Sequence, residues 1–126
     1  MEGVFVMTIN WTTLHVKDMD KSLAFYNGLL GLPVAERFGP PEHQIAMLGP
    51  ETGTKLELLC DGAPIDGPVG QGVSMGFTPD NMGELLEKLA AAGVAIPEPM
   101  SPNPSLRFYF IKDPDGYTVQ LVENLG

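Results

Sequence analysis

The residues best suited to chemistry in this 126-residue chain are one glutamate and two histidines that lie in short apolar segments. Glu57 lies between Leu56 and Leu58 in the segment Lys55-Leu56-Glu57-Leu58-Leu59. His15 and His43 lie at the ends of other β-rich stretches. A carboxylate packed against an aromatic ring holds a proton more readily than one in water. Glu57 is therefore the candidate catalytic base, and an ion pair with Lys55 is the plainer alternative.

Strand alternation decides which residues accompany Glu57, because successive side chains point to opposite faces of a sheet. One face of the predicted strands is uniformly aliphatic, as in Leu56, Leu58, Val119 and Leu121, and it belongs under helices. The opposite face is mixed polar and aromatic and is the predicted ligand side. Its candidate ligand-binding residues are Trp11, Thr13, His15, His43, Met47, Ser74, Phe108, Phe110 and Gln120.

An internal repeat predicts the architecture. A shift of 63 residues lays Asp18-Met19 on Asn81-Met82 and Gly53 on Gly116. The sequence thus predicts an α+β fold of two βαβββ modules in a single domain over residues 1–126. Module one covers about 7–61, the linker about 61–72 and module two about 72–126. The paired modules should form a cupped mixed sheet around a ligand cavity with the helices outside, and the pairing can lie within one chain or between two.

Apolar periodicity and turn residues predict the elements of each module. One helix in each module follows a short polar cap, with Leu23, Tyr26, Leu29 and Leu30 on the apolar face of the first. Pro97 to Pro104 should form a stiff loop that is either a pocket rim or a surface connection. The predicted strands are 8–16, 34–38, 44–48, 54–60, 72–77, 94–96, 106–111 and 117–123.

Composition and charge exclude several classes of partner. The formal net charge of -9 repels nucleic acid and anionic lipid, so neither is an expected partner. The chain shows no secretory signal and no apolar run long enough to span a bilayer. The only cysteine, Cys60, cannot form an internal disulfide, which fits a cytoplasmic protein.

Several motifs give the chain a resemblance to a known family. They are Leu14–Ser22, Phe25-Tyr26, Gly31-Leu32, Phe108-Tyr109-Phe110, Asp113-Pro114-Asp115-Gly116 and Val119–Val122. Together they resemble the vicinal oxygen chelate superfamily, which includes glyoxalase I, bleomycin-resistance proteins and extradiol dioxygenases. The resemblance covers essentially the whole chain and implies the paired-module fold, a small-molecule site and a homodimer.

The resemblance also implies where a divalent metal would be held in members that are metalloenzymes. Carried onto this sequence, the four ligand positions are Trp11, Glu57, Ser74 and Gln120. Glu57 is a typical ligand and Gln120 a weaker one, whereas indole cannot coordinate and a serine hydroxyl is a poor neutral ligand. We therefore expect no metal or other cofactor, and the alternative is a non-standard metal site from His15, His43 and Glu57.

Three functions compete on these grounds. The first is a metal-free protein that binds a flat aromatic, amphipathic or cationic organic molecule, as antibiotic-resistance members of the superfamily do. The second is a glyoxalase-like lyase or isomerase with Glu57 as base and an atypical metal or none. The third is a non-catalytic domain that retains the pocket as a relic. The departures at the metal positions favour the first.

Overall fold

The computed structural model describes residues 7–65, 67 and 69–126 of the chain. Each half contains a strand, a helix and three further strands, as the sequence predicted. The elements of module one are β1 (Trp11–His15), α1 (Met19–Leu23), which continues as a π-helix (Ala24–Leu29), β2 (Val34–Phe38), β3 (Gln44–Leu48) and β4 (Lys55–Cys60). Those of module two are β5 (Ser74–Phe77), α2 (Met82–Ala91), β6 (Met100–Asn103), β7 (Leu106–Lys112) and β8 (Thr118–Asn124).

The two sheets have the same strand order, and three of the four strands in each sheet repeat the register of the other. Their strand orders are β1-β4-β3-β2 and β5-β8-β7-β6, with the first pair of each sheet parallel and the others antiparallel. Trp11 pairs with Lys55 in module one, and Ser74 pairs with Thr118 in module two. The residue numbers of the second pair are each 63 higher than those of the first. The α+β fold of paired βαβββ modules is thereby confirmed.

The helix caps repeat with the same shift. The side chain of Asp18 accepts a hydrogen bond from the backbone N–H of Lys21, and Asn81 accepts one from Glu84. A short polar side chain at this position satisfies an amide of the first turn that has no partner within the helix. The local signals that start both helices were therefore legible in the sequence.

Two local predictions were wrong. Residues 94–96 form no strand, and the second strand of module two is β6, within the proline-rich segment assigned to a loop. Proline is tolerated there because β6 is an edge strand with an irregular register against β7. The first helix also widens into a π-helix at Ala24, and this turn buries the adjacent Phe25 and Tyr26 together.

The aliphatic faces of both sheets and the apolar sides of the helices form one core. This core contains fourteen buried residues drawn from both modules, with further partly buried residues packed against it. Tyr26 from module one and Leu89 and Leu121 from module two are 0% exposed. Burying such side chains provides the main driving force for folding. The modules therefore pack against each other through the faces that carry their helices.

A hydrogen-bonded cluster around Asp113 fixes this packing. The Tyr26 hydroxyl donates to Asp113 Oδ2 at 2.7 Å, and the backbone amides of Asp115 and Tyr117 donate to Asp113 Oδ1. The Tyr117 hydroxyl reaches back to the carbonyl of His15 at 2.9 Å. Burial raises the pKa of Asp113, outweighing the hydrogen bonds that favour its carboxylate. This cluster joins β7–β8 to the first helix and to β1.

Removing the Tyr26 hydroxyl tests the weight of this cluster. We expect Tyr26→Phe to lower the free energy of unfolding by about 1–3 kcal/mol, because it leaves a buried carboxylate oxygen without its donor. Urea denaturation monitored by circular dichroism measures the change. Tyr109→Phe is the matched control, since Tyr109 is only partly buried and its ring packs beside Arg107. Equal losses in both variants would contradict the assignment.

The raised pKa of Asp113 predicts a pH dependence with a definite sign. In the window between the ordinary carboxyl pKa and the raised value, the folded chain holds a proton that the unfolded chain has released. Stability therefore falls as the pH rises through this window. As the pH rises across the window, the unfolding free energy of the wild type should fall relative to that of Asp113→Asn. The variant is the reference, because its other carboxyl groups titrate as those of the wild type do. A relative gain for wild type would contradict the prediction.

Candidate functional site

The mixed face of module one is assembled in rows across its four strands. The register aligns Thr13 with Glu57, Glu57 with Met47 and Met47 with Glu36. Within this row the Thr13 hydroxyl donates to Glu57 Oε1 at 2.6 Å. Strand alternation thus brings the candidate base, a hydroxyl and a thioether onto one surface. The next row contains His15, Leu59, Ile45 and Phe38.

Trp11 occupies one end of this face, beside an open cavity of about 690 Å³. Its side chain is 53% exposed, so one flank of the indole is available to a ligand. Lys55 lies opposite Trp11 in the register and also lines the cavity. The remaining lining residues are Asn10, Pro33, Val34, Ala35, Glu36, Met47, Gly49, Glu51 and Gly53.

The mixed face of module two has the matching rows. Gly76, Gln120 and Phe110 share one row, and Phe108 pairs with Val122 in the next. The rings of Phe108 and Phe110 meet edge to face, with centroids 6.4 Å apart. This aromatic pair and the Gln120 amide provide an apolar surface with one polar contact.

Among the described residues, the cationic side chains of these two faces are two lysines, and both are already hydrogen-bonded. Lys55 Nζ donates to the backbone carbonyls of Glu51 and Gly53 at 3.2 and 3.1 Å. Lys112 Nζ donates to the Thr118 hydroxyl at 2.6 Å. Neither ammonium is directed to a carboxylate, so neither neutralises the glutamates of module one by direct contact.

The two faces do not enclose a common hollow within one chain. The modules are packed through their helix-bearing faces, which leaves the mixed faces on the outside of the molecule. Trp11, Thr13, His15 and Ser74 are accordingly exposed, and the cavity beside Trp11 is lined by module one alone. The structure brings Trp11, Thr13, Glu57 and Met47 onto one face, and Ser74, Gln120, Phe108 and Phe110 onto the other. The predicted shared cavity therefore requires a second chain.

The structure places the two histidines differently. His15 lies on the mixed face as predicted, one row beyond Glu57. His43 lies in the exposed turn before β3, not within the strand. Its backbone N–H donates a hydrogen bond to the carbonyl of Pro40. No group of three or more His, Cys, Asp or Glu residues in the described part of the chain could hold a metal ion. The described structure therefore does not bring His15, His43 and Glu57 together as such a group.

Sequence reasoning missed Glu36 and Met100, which also lie on the mixed faces. Glu36 pairs with Met47 across β2 and β3, and Met100 pairs with Phe108 across β6 and β7. Both lie in edge strands with an irregular register, where alternation along the strand alone does not fix the face. Pairing each edge strand to its already assigned neighbour could have found them.

Residues 8–121 match the Glyoxalase/Bleomycin resistance protein/Dioxygenase superfamily. The chain belongs to this superfamily. Lactoylglutathione lyase from Haemophilus influenzae is 30% identical over 129 residues, which is 94% of this chain and 93% of that protein.

Two solved structures are similar in fold. The trypanothione-dependent glyoxalase I of Leishmania major shares 26% identity and a TM-score of 0.74, covering 95% of this chain and 88% of that one. TnmS3, an antibiotic binding protein from Streptomyces sp. CB03234, shares 22% identity and a TM-score of 0.75, covering 96% and 98%. The likeness to TnmS3 shows the fold alone. No helix in the described ranges is long and apolar enough to cross a membrane.

In this chain, the residues at the metal-ligand positions of the superfamily do not fit a divalent ion. The indole of Trp11 offers a donor N–H and no lone pair, and Ser74 offers a neutral hydroxyl. Glu57 is a suitable ligand, but its Oε1 already accepts the Thr13 hydroxyl. We therefore derive no chemistry through a metal at this site.

Proposed function

We propose that this protein binds a small organic molecule without the divalent metal of the superfamily's enzymes. The observation that carries the proposal is the half-exposed indole of Trp11 at a metal-ligand position, beside an open cavity of about 690 Å³. An aromatic face of this kind can stack on a flat ligand. An indole at this position also lacks the lone pair that a metal ion would need. Glu57, held by Thr13, supplies a polar contact one row away.

A second copy of the chain completes the site in this proposal. Each chain exposes one mixed face from each module, so module one of one copy can face module two of another. The outer edges of β1 and β5 are free of strand partners in their sheets, and Ile9, Trp11 and Val73 expose 53–71% of their surface at those edges. Joining these edges would cover that apolar surface. The ligand would then lie between Trp11 of one copy and the Phe108–Phe110 pair of the other.

TnmS3 supports a binding function only by analogy, since its likeness to this chain is one of fold. Its description is that of an antibiotic binding protein, so a protein of this fold binds an antibiotic. The mixed faces here suit an organic ligand, because they offer four large aromatic side chains. Those side chains are Trp11, Phe38, Phe108 and Phe110.

Lactoylglutathione lyase activity is the second candidate. The relatives from Haemophilus influenzae and Salmonella typhimurium carry that name at 30% and 28% identity over nearly their whole length, and Glu57 retains a possible base. Against it, glutathione carries carboxylates, whereas the lysines of the mixed faces, Lys55 and Lys112, are bonded to oxygens of the protein. Two described lysines bonded to protein oxygens, together with an indole and a hydroxyl at metal-ligand positions, favour binding over this chemistry.

Metal content and ligand response distinguish the two candidates. We expect no stoichiometric zinc, nickel, manganese or iron in the purified protein, and no thioester formed from glutathione and methylglyoxal when these metals are added. A thermal-shift screen of flat aromatic compounds should find ligands that raise the melting temperature by mass action. Trp11→Ala should abolish that rise, whereas Leu125→Ala, at an exposed apolar residue outside the cavity lining, should keep it. Stoichiometric metal that is lost in Glu57→Ala would contradict the proposal.

Pairing of chains through the β1 edge has its own test. The chain contains a single tryptophan, Trp11, so its fluorescence reports on this face alone. We expect sedimentation to show a dimer, and acrylamide to quench Trp11 more strongly on dilution to the monomer. Ile9→Lys should shift the equilibrium towards monomer, because a charge replaces exposed apolar surface at the edge. Leu125→Lys, also at an exposed apolar residue, is the control, and an equal shift in both variants would contradict pairing through β1.

A further inference from the structure

The cavity beside Trp11 combines an aromatic wall with carboxylates. Trp11, Val34 and Met47 supply apolar surface, and Glu36 and Glu51 line the same cavity. Glu36 stands in the row that also contains Glu57, two strands away. A ligand in this cavity would therefore meet an indole face with negative charge beside it.

The carboxylates of this cavity form no ion pair within the described residues. The salt bridges formed by the described residues join Arg37 to Asp20 and Arg107 to Glu123, and neither includes a glutamate of the cavity. The lining also contains Lys55, whose ammonium donates to two backbone carbonyls, so two glutamates and one lysine leave the described lining with a formal charge of -1. This negative charge favours a positive ligand, and the net charge of -9 attracts the same ligand from a distance.

We propose that the ligand is a flat aromatic cation whose ring stacks on Trp11 and whose positive charge lies towards Glu36 and Glu51. The inference rests on the proposed binding function and adds the chemical class of the ligand. A cation over an indole face is attracted by the ring quadrupole, and carboxylates at the cavity rim add to that attraction. A neutral ring of the same shape gains the stacking alone, and an anionic ring is repelled.

Three acridines of one ring shape and different charge test this inference. The probes are 10-methylacridinium, acridine at a pH where it is neutral, and acridine-9-carboxylate. Quenching of Trp11 fluorescence, checked by calorimetry, gives their dissociation constants. We expect the cation to bind ~10-fold more tightly than neutral acridine, since 1.4 kcal/mol corresponds to a factor of ten and partly desolvated cation–π contacts reach that range. The anion should bind most weakly, and added salt should weaken only the cation.

Paired charge-neutralising variants locate the effect. Glu36→Gln with Glu51→Gln should reduce the preference for the cation over neutral acridine, because the carboxylate part of the attraction is removed while the contact with the indole remains. Glu87→Gln with Glu98→Gln is the matched control, because it removes the same charge at exposed residues outside the cavity lining. A reduced preference only in the first pair supports the inference.

The outcomes separate this inference from the proposed function. Equal binding of cation and neutral acridine at Trp11 overturns the ligand class and leaves the binding function standing. An equal loss of preference in both variant pairs also overturns it, because the attraction would then come from net charge alone. Failure of all three probes to bind overturns the inference together with the binding of flat aromatic molecules.

Discussion

The helix-side faces of both sheets are aliphatic, and each module has one short helical segment with which to cover its face. The two modules meet this constraint by packing their helix-bearing faces into one core. Tyr26 and Asp113 join them at the centre through a buried hydrogen bond. Because this packing uses the aliphatic faces, the mixed faces are left outside. The open cavity and the exposure of Trp11 both follow from it.

Replacing a metal donor by an indole changes what the scaffold can do. A divalent ion polarises substrate oxygens, whereas an exposed aromatic ring offers area and a quadrupole. Trp11 lies on the same face as Glu57, whose carboxylate accepts the Thr13 hydroxyl, and it lines the same cavity as Glu36 and Glu51. The proposed binding function rests on these features. The family supplies the scaffold, and the residues on its mixed faces determine the chemistry.

Much of the fold was predictable because the chain repeats itself. The shift of 63 residues found from sequence is the shift of the strand register, from Trp11–Lys55 to Ser74–Thr118. The same shift carries β2 to residues 97–101, close to the observed β6, so the error at 94–96 came from following a short apolar run instead of the repeat. Glu36 was missed because an irregular register in an edge strand hides which face a residue takes.

The sequence by itself determined which residues share a face, because the alternation of a strand and the capping of a helix are local properties of neighbouring residues. It placed Trp11 with Thr13 and Glu57, and Gln120 with Phe110, correctly. Only the tertiary structure decided where those faces point. That choice depends on contacts such as Tyr26–Asp113, which join residues 87 apart in the sequence. No local pattern encodes the packing of two modules, since either face of a sheet can be covered once a partner is available.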